Sequence, residues 1–387
     1  MNWKKKSEEN WGRSGMKYNW LTKTVGELTS YMAKGIPPKY TEKASDTTIY
    51  VLNQKCNRDY RISYGPSRLH DTATKKVPDD KMLKSGDVLI NSTGTGTAGR
   101  VAQMMDVPHP TTVDGHMIIM RSTDEIDSLY YGYALKSYQS EIELFAEGST
   151  GQTEINKRRL LDEITILYPD NIHAQKYIAS ILRVLDDKIL LNNKINNNLE
   201  QQISAIYKNK FAYVLQGNTS TIEQLIAFSN GKKRPSEDGN IPVYGGNGVL
   251  AYTNQSNSEN SIIIGRVGAY CGNVFYTSSQ CWISDNAIEA KSKVTDSQLF
   301  SYYLLRNAEL PSRHIGTGQP LMTQGILNAI PCSLPDISEI MAFNSLCEPL
   351  QQQIDNNVIE IQQLSLLRDT LLPKLMSGEI DVSNINI

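Results

Sequence analysis

Apolar residues return at alternating steps of four and three through the middle of the chain, at Ile178, Leu182, Leu185, Ile189, Leu199, Ile203 and Ile206, with Asn192 and Asn196 standing in phase between them. That period predicts one long helix over residues 171–211, with an apolar seam that a partner must cover. The partner is written in the same chain. The later series Phe343, Cys347, Leu350, Ile354, Asn357, Ile361, Leu364, Arg368 and Leu371 keeps the same heptad phase, with Phe343 answering Ile178. A helix of about 40 residues is about 60 Å long, so the pair predicts a rod rather than an element folded inside one small core.

An antiparallel pairing gathers Asn192, Asn196 and Asn357 near one level and sets Asn196 opposite Asn357. A buried amide pair weakens a seam but penalises slipped registers, in which an amide would meet Ile. Parallel pairing aligns Asn192 with Asn357 as well, and solvated Asn on loosely wound helices would need no pairing. Pro349 predicts a kink or a fresh helix start, and Pro373 a fraying end.

Outside these helices the chain states one plan twice. TVGELTSYMAKG (24–35) answers TIEQLIAFSNGK (221–232), each a short element ending at a Gly-containing turn. GDVLINSTGTGTAGRVAQM (86–104) answers NSIIIGRVGAYCGNVFYT (260–277): an apolar strand, a Gly-rich turn and a second strand. VDGHMIIMRS (113–122) answers SDNAIEAKS (284–292), the amphipathic LYYGYALKS (129–137) answers LFSYYLLRN (299–307), and GSTGQTEINKRRLLDEITILYPD (148–170) answers IGTGQPLMTQGILNAIPCSLPD (315–336). Five segments in matching order predict two copies of one α+β domain, residues 21–169 and 219–335, each followed by a long helix, residues 170–214 and 336–380. Residues 1–20 read as a polar lead-in. The first copy is longer by about thirty residues between its first turn and its Gly-rich hairpin. Similar units on an antiparallel helix pair predict an approximate two-fold axis.

At 387 residues and 40% hydrophobic content the chain can bury two ordinary cores. It has no apolar run of membrane-spanning length and no signal-peptide pattern at its start, which predicts a cytoplasmic protein. Five Cys without C-x-x-C spacing support neither a disulfide framework nor a zinc site. The net charge of −2 does not announce a nucleic-acid partner, but from Lys55 to Arg100 nine Lys and Arg stand against five Asp, and GKKRP at 231–235 adds a second basic spot.

Catalytic motifs are missing. Gly94-Thr-Gly96-Thr-Ala-Gly99 matches the dinucleotide fingerprint G-x-G-x-x-G, but a strand pattern stopped by Pro108 follows where that fingerprint needs a helix. Asp285, Glu289 and Lys291 look like a fragment of a metal-dependent nuclease motif at the wrong spacing, and the first copy has no Glu there. No H-E-x-x-H, G-x-S-x-G or D/N-P-P-Y/F string occurs, so neither a catalytic nor a metal site is predicted.

Polar and aromatic side chains instead crowd the turns. The second copy offers Lys232, Lys233, Arg234, Tyr244, Asn247, Arg266, Tyr270, Asn273, Arg313, His314 and Gln319; the first offers Arg61, Tyr64, Arg68, Lys75, Lys76, Ser92, Thr95, Arg100 and Gln152. Arg and Lys can pin phosphates, and Asn, Gln and Arg can read base edges in the major groove. Their concentration at corresponding places in both copies points to double-stranded DNA.

The ordered set GKKRP, IPVYGGNG, IIIGRVGAYCGN, WISDNAI and GTGQP, the long helix after each copy and the closing LLPKLMSGEI resemble the specificity (S) subunit of type I restriction-modification systems, over residues 20–380. The resemblance implies two target-recognition domains, each reading one half of a bipartite DNA site, and helices that act as spacer and as docking surface for two methyltransferase subunits. It implies that those partners bring S-adenosylmethionine, that restriction subunits add ATP- and Mg-dependent cleavage, and that this chain does no chemistry. The alternatives are a stand-alone enzyme holding a nucleotide at Gly94–Gly99 and a coiled-coil scaffold that binds only protein.

Overall fold

The computed structural model describes residues 18–148, 153–316 and 318–382. They form two compact units, one taking the chain up to Lys188 together with the residues from Leu364 on, the other Ile189–Gln363.

The first unit runs β1 (Trp20–Thr24), β2 (Thr29–Lys34), β3 (Tyr40–Thr41), β4 (Thr48–Leu52), β5 (Asn57–Arg58), β6 (Arg61–Ile62), β7 (Arg68–Asp71), β8 (Val88–Asn91), β9 (Val101–Gln103), β10 (Thr111–Val113), β11 (Met117–Ser122), α1 (Ser128–Ser137), α2 (Gln139–Glu143), β12 (Ala146–Glu147), β13 (Glu154–Ile155), α3 (Lys157–Asp162) and β14 (Thr165–Pro169), and enters α4 (Ile172–Phe211). One antiparallel sheet has the order β2-β11-β8-β9. A second has the order β10-β4-β7-β3, with β10 parallel to β4. Burial of both faces explains why Val88, Leu89 and Ile90 of β8 are apolar in succession. Val88 and Ile90 join the core against α1, while Leu89 joins a smaller core with Leu52 and Val113 of the second sheet.

The second unit repeats this design with β15 (Ser220–Thr221), β16 (Ile226–Asn230), β17 (Ile241–Gly245), β18 (Gly248–Thr253), β19 (Ser261–Gly265), β20 (Val274–Thr277), β21 (Trp282–Ile283), β22 (Ala287–Ser292), α5 (Gln298–Asn307), α6 (Gln324–Asn328), β23 (Pro331–Cys332) and α7 (Ile337–Met376). Its sheets have the orders β16-β22-β19-β20 and β18-β17-β21, with β17 parallel to β21. Ile262 and Ile264 face α5 and Ile263 faces the small sheet, the same division of labour as in β8. In both copies the edge strand of the larger sheet, β2 or β16, is followed by a Gly pressed on backbone: an added Cβ would lie 2.1 Å from the Val113 carbonyl oxygen at Gly35 and 2.0 Å from that of Ser284 at Gly231.

Residues 35–87 separate β2 from β8, against residues 231–260 between β16 and β19, so the first copy is the longer one, though by less than its sequence suggests. Much of the excess is an excursion between β4 and β7, including β5 and β6, where the second copy turns directly from β17 into β18.

Both long helices are continuous, and α7 passes through Pro349 without a break. Pro349 and Ser345, whose carbonyl it leaves unbonded, are both exposed, so that carbonyl is open to solvent and no fresh helix start falls there. In the second unit Asn192 Nδ2 donates to Glu360 Oε2 at 2.7 Å and Asn357 Nδ2 to Asn196 Oδ1 at 2.7 Å, so rising numbers on α4 meet falling numbers on α7. The helices are antiparallel there. The seam departs from the strict heptad reading: Leu185 and Ile206 are only half-buried, while Asp186 and Tyr207 are buried. An unsupercoiled helix drifts about 20° per heptad, and each stretch also packs on a globular domain beside its partner helix.

The contact between domain and helices is polar in one unit and aromatic in the other. In the first, Tyr133 donates to Asp186 Oδ2 at 2.7 Å, Arg368 Nη1 donates to Asp186 Oδ1 at 2.8 Å, and Arg61 Nη2 donates to the Asp186 carbonyl at 3.0 Å. In the second, the counterpart tyrosine Tyr303 lies among Tyr207, Phe300 and Phe343 with its buried hydroxyl unpaired. Tyr133→Phe is therefore expected to lose about 1.5–3 kcal/mol, a hydrogen bond to a charged group, while Tyr303→Phe is neutral or stabilising. Urea unfolding of the two variants, followed by hydrogen exchange, reads the opposite signs.

The Asn pair supplies a second test. Asn357→Leu alone leaves the buried Asn196 Oδ1 without its donor and is expected to cost about 1–3 kcal/mol; adding Asn196→Leu recovers the loss and relaxes the register. Unfolding measurements on the single and double variants check the first part, and spacer lengths among methylated sites the second.

Candidate nucleic-acid interface

In the second unit four loops converge at one end of the sheets. Gly246, between β17 and β18, is packed so that an added Cβ would lie 3.6 Å from Gly265 Cα, 3.7 Å from Tyr270 Cβ and 3.8 Å from the Asn286 carbonyl oxygen. Gly268 N donates to the Pro320 carbonyl at 3.0 Å, Arg266 Nη1 to the Asp285 carbonyl at 3.2 Å and Ser284 N to the Tyr244 carbonyl at 2.9 Å. Lys232 forms a parallel bridge to Ser284. Lys232, Lys233, Arg234, Asn247, Tyr270, Arg313, His314 and Gln319 are exposed, and Arg266 and Asn273 partly so. Arg313 Nε caps the Ala308 carbonyl at 2.7 Å. Tyr244 is the exception: it packs on the small core, and burial holds its hydroxyl above the usual tyrosine range.

The first unit builds the same cluster from β8–β9, the β10–β11 turn and β13. Ser92 N donates to the His116 carbonyl at 2.7 Å, Ile155 N to the Ser92 carbonyl at 2.8 Å, and Thr93 Oγ1 meets His116 Nδ1 at 2.6 Å. Thr95 is exposed on the Gly-rich turn, while Ser92 is buried and offers no open hydroxyl. Arg100 donates to the Gly96 carbonyl at 3.1 Å and lines a polar cavity of about 420 Å³ with Arg58, Asp59, Lys136 and Glu143. Burial lowers the Lys136 ammonium below the usual lysine range.

Several of the first copy's candidates are engaged inside the unit. Arg61 is committed to Asp186, Tyr64 meets Thr111 Oγ1 at 3.0 Å, Arg68 stacks 3.5 Å over Tyr40, and Lys75 donates to the Pro37 carbonyl at 3.1 Å. Lys76 is exposed, and Gln152 lies outside the described residues. The residues missed in the sequence are His116 and Asn286, which occupy matching places in the β10–β11 and β21–β22 turns. Matching VDGHM to SDNAI sets His116 opposite Ala287; the strand pairings Met117–Asn91 and Ala287–Gly265 shift it by one residue and bring His116 opposite Asn286.

The chemical alternatives find no support. Gly94–Gly99 leads into β9, not a helix. Glu289 is held by Ser229 and Ser261 within its sheet and by Ser258 beside it, whereas the Asp285 backbone serves Arg266. Among the described residues no group of His, Cys, Asp or Glu could hold a metal ion, and no helix is long and apolar enough to cross a membrane. All five thiols are buried, and burial pushes Cys281 and Cys347 up to about 11.

Comparison with known proteins agrees with this geometry. The chain is 24% identical over 372 residues to the specificity subunit of the type I restriction enzyme MjaIX of Methanocaldococcus jannaschii, covering 84% of each chain. It is 26% identical over 281 residues to a Mycoplasma genitalium protein described as a type I specificity subunit, covering 65% of this chain and 71% of that one. Its fold matches the crystal structure of a type I restriction-modification S subunit from M. genitalium with a TM-score of 0.57 at 20% identity, over 93% of this chain and 96% of that one. The family model for the type I restriction modification DNA specificity domain matches twice, at residues 17–201 and 218–358. A duplicated domain, a loop cluster repeated at the same corner of each copy, and this double match together place the chain in the type I restriction-modification DNA specificity family, as a non-catalytic specificity subunit.

Proposed function

We propose that each unit reads one half of a two-part DNA site, the first with the domain at residues 21–169 and the second with that at residues 219–335. The observation that carries this is the repeated loop cluster, which presents Thr95 and Arg100 on its Gly-rich turn and Thr93 against His116 in one copy, and Lys232, Arg266, Tyr270 and Gln319 in the other. Cations there would hold phosphates while Asn247, Gln319 and Tyr270 meet base edges. A 40-residue helix is about 60 Å long, close to two turns of B-DNA at about 34 Å each, which favours two contacted segments flanking unread bases.

Methyltransferase subunits, two per chain, and restriction subunits are the proposed protein partners in the cytoplasm, and S-adenosylmethionine, ATP and Mg belong to them. Support comes from apolar side chains left on the long helices away from the seam, such as Val184 at 66% and Leu366 at 71% exposure. Sequencing methylated DNA from cells carrying this chain and its methyltransferase tests the reading. The expected result is one interrupted motif, and replacing residues 221–332 with another such domain is expected to rewrite one half only. A continuous motif, or change in both halves, overturns it.

A further inference from the structure

The two units differ at the free edge of the smaller sheet. In the first, β3 pairs along the outer edge of β7, and Tyr40 of β3 carries the stacked Arg68. In the second, among the described residues, no strand covers the corresponding edge of β18. Edge strands are normally blunted by charge, Pro or cover, because bare edges recruit other molecules. The strand GVLAYT has no charge, and its Val249, Leu250 and Tyr252 are 44%, 52% and 49% exposed. The register slips between Val243 and Tyr244, which pair with Ala251 and Val249, so Leu250 has no residue opposite it in the ladder and its side chain lies across Gly245. Such a bulge twists the ribbon and re-aims its side chains.

The surroundings select the occupant. The tip at Gly246 abuts the loop cluster that holds Tyr270, and in the segment that leads into β17 Lys232, Lys233 and Arg234 outnumber Glu237 and Asp238. A nucleic-acid backbone compensates the cations in excess. A two-stranded β-ribbon fits the major groove of B-DNA, where the thymine methyl group is the one apolar feature among the base edges. We propose that the β17–β18 ribbon is the base-reading element of the second unit, lying in the major groove with Leu250 and Tyr252 against thymine methyl groups. This rests on the DNA-reading function proposed above. Among its described residues the first unit has no such ribbon. There the connection between β4 and β7 folds back instead, with Asn57 Nδ2 donating to the Arg100 carbonyl at 2.9 Å and Arg61 bonded to α4. Apolar reading by a ribbon therefore belongs to one half of the site.

The test uses the complex of this chain with its methyltransferase and a duplex carrying its own motif, the second unit's half being identified by the domain exchange. Replacing thymine by deoxyuridine in that half removes only methyl groups. Binding is expected to weaken about fourfold per contacted methyl, the value of burying one such group, and the same replacement in the other half to change nothing. The variant carrying Leu250→Ala and Tyr252→Ala is expected to bind more weakly, to ignore deoxyuridine, and to methylate sites degenerate in that half; Leu334→Ala, an exposed apolar change in the same unit, should behave as wild type. Indifference of the wild type to deoxyuridine, a half-site without thymine, or an unchanged motif in the double variant overturns the ribbon while leaving the two-part reading intact. A continuous motif in the wild type overturns both.

Discussion

Asp186→Ala is expected to remove about 3–5 kcal/mol of stability from the first unit, the cost of breaking a buried ion pair on one side only. The side chains of Arg368 and Asp186 are 15% and 11% exposed. Asp186 accepts from the Arg368 guanidinium and the Tyr133 hydroxyl at once, joining α7 and α1 through one carboxylate on α4. Alanine takes away the buried partner of the Arg368 guanidinium, leaving it only the exposed Asp369, and leaves a buried phenol without an acceptor. The size of the loss is not the worth of the pair. Replacing Asp186 and Arg368 with Leu and Tyr133 with Phe takes out all three groups together and is expected to recover most of the stability, because the charges no longer have to be desolvated. Unfolding in urea, with hydrogen exchange to place the loss in α1 and α4, distinguishes the two. A triple variant as unstable as Asp186→Ala would mean that the charges contribute net stability. The second unit is the natural control, since Ile203 on α4 holds the seam position that corresponds to Arg368 on α7.

The same residues show where sequence reasoning stops. The long helices were legible because a seam must be covered, and hardly any structure besides a long paired helix keeps an apolar period over several heptads. The duplication was legible because a strand, a Gly-rich turn and a strand recur in order, and the doubled sheet orders follow from it. Most buried seam residues were legible, Ile178, Leu182, Ile189, Asn192, Asn196 and Ile203 on α4 among them, but the departures at Asp186 and Tyr207 were not. A heptad reading assumes one partner helix, but each stretch also faces a domain, so Asp186 turns inward and Leu185 only half does. The site was legible as loops and not as side chains. Arg61, Tyr64 and Ser92 have the chemistry of DNA contacts, yet each is taken up inside the fold, and a polar side chain's partner is fixed by tertiary neighbours that no local pattern encodes. His116 and Asn286 escaped for the converse reason: each is a single polar residue in a turn whose importance appears only when the loops around it meet.

Phe343→Ala is expected to cost the second unit about 3–5 kcal/mol, with the loss confined to that unit. Phe343 is fully buried, and its ring lies 5.9 Å from Tyr207, 5.7 Å from Phe211, 6.3 Å from Phe300 and 6.2 Å from Tyr303, edge-on to all four. It thus joins α7 to α4 and to α5 in one aromatic core. Rigid rings on three helices cannot close over the space a benzyl group leaves, so the cavity persists and the full penalty is felt. Phe343→Leu keeps most of the volume and is expected to cost less than about 1.5 kcal/mol, which separates loss of packing from loss of ring geometry. Ile178, at the same heptad position in the first unit, lies in a core with Leu372, Leu375 and Met376, whose flexible side chains can relax into a void. Ile178→Ala should therefore fall nearer the lower end of the range for its class, about 2–5 kcal/mol. The functional consequence is directional. Near the unfolding midpoint of Phe343→Ala, methylation should lose its preference in the half-site assigned to the second unit before the other half is affected, whereas Ile178→Ala should do the reverse. Motif sequencing from cells grown at rising temperature reads both outcomes, and simultaneous loss of both halves in either variant would show that the units unfold together.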